Sequence, residues 1–162
     1  MRSMKIPYKN THNDLNIFHE YLSGKKTETE MIFFCLKRAK TLMESLDDNP
    51  SGWDDAEAVE IDSILKSMNF FQKESQKSPV RILLPADHKE RVDMFLFKLN
   101  EGIQKDNAEQ TLVWYIGIAK YFISVLETDN KKTWIQELYQ LADELAKRCE
   151  NFLIDVDIEK LQ

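Results

Sequence analysis

A chain of 162 residues, 43% hydrophobic and 31% charged, has the size and composition of one folded domain with a single core. Four glycines and four prolines are too few for a many-turned β-sandwich. A formal charge of −6 disfavours nucleic acid, where binding depends on neutralising phosphate, and suits a basic protein partner steered in by an acidic face.

The first ten residues carry Arg2, Lys5 and Lys9 but no apolar stretch, so no cleavable signal is expected there. Beyond them, six pairs repeat one spacing: Thr11/Asp14, Thr27/Glu30, Asp54/Glu57, Asp87/Glu90, Asn107/Gln110 and Thr133/Gln136. A small polar or acidic residue followed three positions later by an acid or amide can satisfy the unpaired N–H groups of a helix start. Helical apolar periodicity follows closely on five of the six.

The first helix is expected from about Asn13 to Leu22, with Leu15, Phe18 and Leu22 inward and Gly24 as a left-handed stop. The second is expected from about Glu28 to Leu46, on the stripe Ile32, Cys35, Leu36, Ala39, Leu42, Met43 and Leu46. The run Asp47-Asp48-Asn49-Pro50-Ser51-Gly52 is a break. A third helix is expected from about Asp55 to Gln72, with Ala58, Ile61, Ile64, Leu65, Met68 and Phe71 inward. Pro79 and Pro85 bracket Val80-Arg81-Ile82-Leu83-Leu84, which reads as a buried crossover loop rather than a strand.

The fourth helix is expected from about His88 to Gln104, with Val92, Phe95, Leu96, Leu99 and Ile103 inward. The fifth, about Ala108 to Leu126, is apolar on all sides, and Lys120 is its only charge between Thr111 and Leu126. Its apolar run is about 16 residues, short of the ~20 that a membrane span needs, so it reads as a central core helix. A sixth follows Asp129-Asn130 to about Phe152, on Ile135, Leu138, Leu141, Ala142, Leu145, Cys149 and Phe152. The expected fold is therefore all-α: one domain over residues 1–162, a six-helix bundle with the fifth helix at its centre. Residues 1–10 and 154–162 are expected as flexible or docked tails.

Two cysteines, Cys35 and Cys149, are too few to staple a secreted scaffold, and both fall on apolar stripes. Buried thiols in a reducing cytosol, of the producer or of a host cell, are expected. Of the three histidines, His12 and His19 lie seven apart and read as surface residues. No Glu-x-x-His, Cys-x-x-Cys, Walker loop or Gly-x-Gly-x-x-Gly occurs, so no metal, cofactor or catalytic residue is assigned.

Arg81 and His88, with six residues between them, resemble the loose Arg-x(4–6)-His motif of HEPN ribonucleases, which are also small helical bundles. That resemblance implies RNA cleavage by these two residues. The family places the motif on a helix, whereas Pro85 interrupts the segment here. The nearly all-apolar fifth helix ringed by amphipathic ones resembles the Bcl-2 layout, and Trp134-Ile135-Gln136-Glu137 is similar to a tetrapeptide of that family. That resemblance implies a groove that takes up an amphipathic helix. Phe33, Phe34, Phe70, Met94 and Phe97, which flank the main stripes, are its candidate lining. The family's Asn-Trp-Gly-Arg motif is replaced by Asn107-Ala108-Glu109-Gln110.

The strongest surface feature is a run of acids: Glu44, Asp47, Asp48, Asp54, Asp55, Glu57, Glu60 and Asp62, with no Lys or Arg between Thr41 and Leu65. Acids at a helix start complement its dipole, which accounts for Asp54, Asp55 and Glu57. Trp53 within the run adds an aromatic anchor to a charged rim, the composition of a binding hot spot. The candidate partner-binding residues are Asp47, Asp48, Trp53, Asp54, Asp55, Glu57 and Glu60. The functional expectation is a non-enzymatic protein-binding module: an acidic inhibitor, immunity-type protein or adaptor that covers a basic surface of a toxin, nuclease or other partner. A subunit of a larger helical assembly is the remaining alternative.

Overall fold

The computed structural model describes residues 11–46, 82–126 and 133–150, together with Ser63, Lys66, Phe70 and Lys73. Within them the chain is mostly helical. Five helices are defined: α1 (Thr11–Leu22), α2 (Glu28–Leu46), α3 (His88–Gln104), α4 (Ala108–Val125) and α5 (Thr133–Glu150). Of the third expected helix, only Ser63, Lys66 and Phe70 are described, each helical and exposed. The six-helix count is therefore not reached among the described residues. No helix there is long and apolar enough to cross a membrane.

The helix ends follow local chemistry. At the α1 terminus Gly24 takes φ +85°, its N–H donates to the Tyr21 carbonyl at 3.0 Å, and the Lys25 N–H donates to the Glu20 carbonyl at 2.8 Å. This is the paired closure of a Schellman turn, which needs a left-handed residue that glycine occupies without a Cβ penalty. Thr27 and Glu30 then form a complete capping box: the Glu30 N–H donates to Thr27 Oγ1, and the Thr27 N–H donates to Glu30 Oε1, both at 3.2 Å.

A second Schellman turn closes α3, with Asp106 as the left-handed residue at φ 52°. Asn107 both completes that turn, donating to the Gly102 carbonyl at 2.9 Å, and caps α4 by accepting from the Gln110 N–H at 3.1 Å. The other spaced pairs behave differently. Asp87 makes no side-chain cap bond and instead accepts from Arg91 Nε at 2.9 Å. Asp14 turns into the core. Asp54/Glu57 and the Thr133 side chain lie outside the described residues.

The apolar pattern of α4 has a simple cause in its surroundings. It packs against α2, α3 and α5, and α1 lies across α2 and α3. Leu112, Tyr115, Ile116, Ile118, Ala119 and Phe122 are wholly buried. Each large apolar side chain removed from water contributes about 1.5–3 kcal/mol, so this helix anchors the core. Beyond Glu109 in its first turn, its one charge, Lys120, reaches Asp143 of α5 at 3.4 Å.

The expected inner faces of α2, α3 and α5 are buried at every position whose side chain is described, except that Leu96 is only partly so. Cys35 is buried; the side chain of Cys149 lies outside the described residues. On α1 the buried face is rotated: Asp14, Phe18 and Tyr21 point inward and Leu22 is exposed. Polar partners hold Asp14 and Tyr21 inward, and these outweigh one leucine. The proline-bracketed segment is also corrected. Ile82, Leu83 and Leu84 are exposed, not buried. Its described part, Ile82–Leu84, is tied to the end of α4, where Ile82 bridges antiparallel to Leu126 and the Leu83 N–H donates to the Val125 carbonyl at 2.7 Å.

Candidate functional site

Every expected partner-binding residue, Asp47, Asp48, Trp53, Asp54, Asp55, Glu57 and Glu60, lies outside the described residues, as does Arg81. Of the candidate groove lining, Phe33 is buried. Phe34 and Met94 pack on the core, Phe34 edge-on to Phe18 and Tyr115. Phe70 and Phe97 are exposed. His19 is exposed. Among the described residues no three His, Cys, Asp or Glu side chains are placed to share a metal ion.

Among the described residues, the densest polar chemistry lies where α1, α2, α3 and α4 converge. The Schellman turn after Tyr21 reverses the chain so that Glu28, the first residue of α2, faces back toward the end of α1. Pro85 precedes α3, and the His88 N–H donates to its carbonyl at 3.0 Å, which sets the imidazole at the first position of the helix. The Tyr21 hydroxyl donates to Glu28 Oε2 at 2.6 Å and lies 2.7 Å from His88 Nε2. His88 Nδ1 lies 2.6 Å from the Tyr121 hydroxyl.

These contacts fix the direction of each proton. A hydroxyl has one hydrogen, and that of Tyr21 goes to the carboxylate. His88 Nε2 must therefore donate to Tyr21, and in the neutral ring Nδ1 accepts from Tyr121. The order of donation runs from Tyr121 through His88 and Tyr21 to Glu28. Both ring nitrogens are thus engaged within the protein.

Apolar walls enclose this line. Phe122 meets Tyr21 and His88 edge-on at 5.1 and 6.0 Å, and the Tyr121 ring stacks on His88 at 5.6 Å. The Arg91 guanidinium covers the Tyr121 ring at 5.8 Å. Burial holds the His88 ring below its ordinary pKa, against the fields of Glu28 and Asp87, which act the other way. Burial, with the Glu28 carboxylate, pushes the Tyr21 hydroxyl up. Burial also raises Tyr121, against the pull of Arg91.

A second buried polar centre lies deeper. Asp14 is fully buried; its Oδ2 accepts from the Tyr115 hydroxyl at 2.8 Å and its Oδ1 is 3.1 Å from Arg38 Nη2. Of these residues the sequence picked out His88, for a different role, and Asp14, as a cap partner. One signal for the rest was present: two tyrosines on an otherwise apolar buried helix each need a hydroxyl partner.

Comparison with protein-family models, with curated proteins and with solved structures gives no match.

Proposed function

We propose that this chain is a non-enzymatic protein-binding module: an acidic inhibitor, immunity-type protein or adaptor that covers a basic surface on a partner. The observation that carries the reading is the segment Ile82–Leu84. Three consecutive large apolar side chains stand exposed at 40%, 54% and 52%. A contiguous run of this kind, unlike a single exposed leucine, is characteristic of a recognition surface. The net charge of −6 supplies the complementary attraction for a basic partner, and residues 101–162 alone carry 12 acids against 7 bases.

On this reading Trp53, Asp47, Asp48, Asp54, Asp55, Glu57 and Glu60 form a charged rim with an aromatic anchor. The stretch 55–72 is the sixth helix of the bundle, and the protein works in a reducing cytosol. His88, whose two ring nitrogens bind Tyr21 and Tyr121, holds helices together rather than attacking RNA.

The test is capture of partners by the tagged chain at low and high salt, with Asp54→Lys/Asp55→Lys and Leu83→Asp/Leu84→Asp variants beside it. The expected result is a basic protein that is lost at high salt and lost with either variant. A partner that survives salt and both variants overturns the acidic-face reading. It would favour the second reading, a groove for an amphipathic helix, which the central position of α4 and the exposed Phe97 support.

A further inference from the structure

We propose that the His88 ring is a proton-operated clasp. When neutral it holds the first turn of α3, and the Ile82–Leu84 segment ahead of it, against α1 and α4; when protonated it lets that corner open.

The corner is held at two points on one helix. Leu83 bonds to the carbonyl of Val125, and His88 bonds to Tyr121, one turn earlier on α4. The chain between them is extended or turning and its side chains are exposed. If the His88 contact opens, the ties that remain between this corner and α4 among the described residues are the Leu83–Val125 bond, the Ile82–Leu126 bridge and the Arg91 guanidinium over the Tyr121 ring, and exposed backbone bonds are a weak restraint against water.

Protonation reverses the direction of the His88–Tyr121 contact and sets a cation against the apolar walls. Nδ1 accepts from Tyr121 when the ring is neutral. Once Nδ1 carries a proton it must donate instead, and the Tyr121 hydroxyl hydrogen is turned away from its acceptor. Tyr121 is 92% buried, so its displaced hydrogen has little access to water.

The charged and titratable groups facing the ring come from every helix around it. Tyr21 comes from α1, Glu28 from α2, Asp87 from the residue just ahead of α3, Arg91 from α3 and Tyr121 from α4. Glu28 favours the cation but acts through the Tyr21 hydroxyl. Asp87 favours it too, but its carboxylate is shared with Arg91 at 2.9 Å. The apolar walls of Phe122, Tyr21 and Tyr121 oppose it and prevail, which leaves the neutral, closed form favoured at neutral pH.

The test is amide hydrogen exchange by NMR on the full chain between about pH 7.5 and pH 5, the range in which a histidine changes charge, with the His88 ring followed in parallel. Protection factors remove the intrinsic pH dependence of exchange. Protection of the Leu83 and Arg91 amides should fall at least tenfold as the ring titrates, while that of Ile116 in α4 holds. In His88→Gln this dependence should vanish. Glu28→Gln keeps an acceptor for Tyr21 but removes the charge. It should move the ring titration to lower pH and carry the opening with it. Unchanged protection at Leu83 and Arg91 through the ring titration would overturn the proposal. So would the same loss in His88→Gln, or, where that variant does not fold, an opening in Glu28→Gln that does not follow the shifted ring.

Discussion

Asp14 and Tyr115 stand 101 positions apart and meet at 2.8 Å inside the core, where the phenol donates to a carboxylate with no exposed surface. Arg38 of α2 completes the arrangement, its guanidinium 3.1 Å from the other carboxylate oxygen and 5.5 Å from the Phe34 ring centroid. The centre thus joins α1, α2 and α4. A buried carboxylate that loses a donor is costly because no water replaces it. Tyr115→Phe should therefore lower stability by about 1.5–3 kcal/mol in urea unfolding. Tyr139→Phe, at an exposed position of α5, should change it little. Equal effects of the two would show that the Asp14 bond contributes nothing beyond packing.

His88 gives stability a pH dependence whose sign follows from its burial. Its folded pKa lies below the ordinary value of 6.5. The unfolded chain therefore takes up the proton first, and stability is lost as pH falls below 6.5 and through the folded pKa. Above 6.5 the ring is neutral in both states and contributes no slope. Urea midpoints measured across this window should fall on acidification, and His88→Gln should flatten the curve. A midpoint that rises on acidification in the parent and not in the variant would reverse the assignment.

Gly102 of α3 lies against Thr111 of α4. A Cβ built there would stand 2.8 Å from Thr111 Oγ1 and 3.3 Å from the Thr111 backbone nitrogen. Thr111 is held by its own bond to the Asn107 carbonyl at 2.8 Å, so it does not give way freely. Gly102→Ala gains up to about 1 kcal/mol of helix propensity, but overpacking costs about 1–3 kcal/mol. A net loss is expected, smaller in a Thr111→Ala background, and thermal unfolding of the double-mutant cycle measures it.

The Cys35 thiol sits on the α2 stripe with no exposed surface; burial, and secondarily the Asp14 carboxylate, push its pKa up. The thiolate that reacts with alkylating agents is therefore scarce. Iodoacetamide at mildly alkaline pH should leave the Cys35 peptide unmodified in the native protein and label it fully in denaturant. Mass spectrometry of that peptide separates it from Cys149. Rapid native labelling would mean that α2 opens far more often than a packed core helix should.

The helices were legible because their signals are local. Periodic apolar residues run between clear breaks at Gly24, residues 47–52 and Pro85, and α2 and α3 start and α2 ends where those breaks require. The capping box at Thr27/Glu30 is equally local. The inward turn of Asp14 was not legible, because its spacing to Thr11 fits a cap just as well and only the approach of Tyr115 from α4 decides between them. The His88 line was hidden for the same reason. Tyr21, Glu28, His88 and Tyr121 acquire meaning only when three helix ends and one helix middle are brought together. Leu83 and Leu84 misled in the other direction, since an apolar run between prolines reads as buried unless the surrounding surface is known.

The pairing of α2 with α4, the most extensive between the described helices, also sets a schedule for synthesis. The two partners are separated by about 80 residues, and ribosomes add about 5–20 residues each second, so α2 waits roughly 4–16 s for α4. Throughout that interval the stripe of Met31, Ile32, Cys35, Leu36, Ala39 and Leu42, all fully covered in the finished fold, lacks the cover that α4 gives α2. The nascent chain therefore exposes for several seconds an apolar stripe of the kind that chaperones shield.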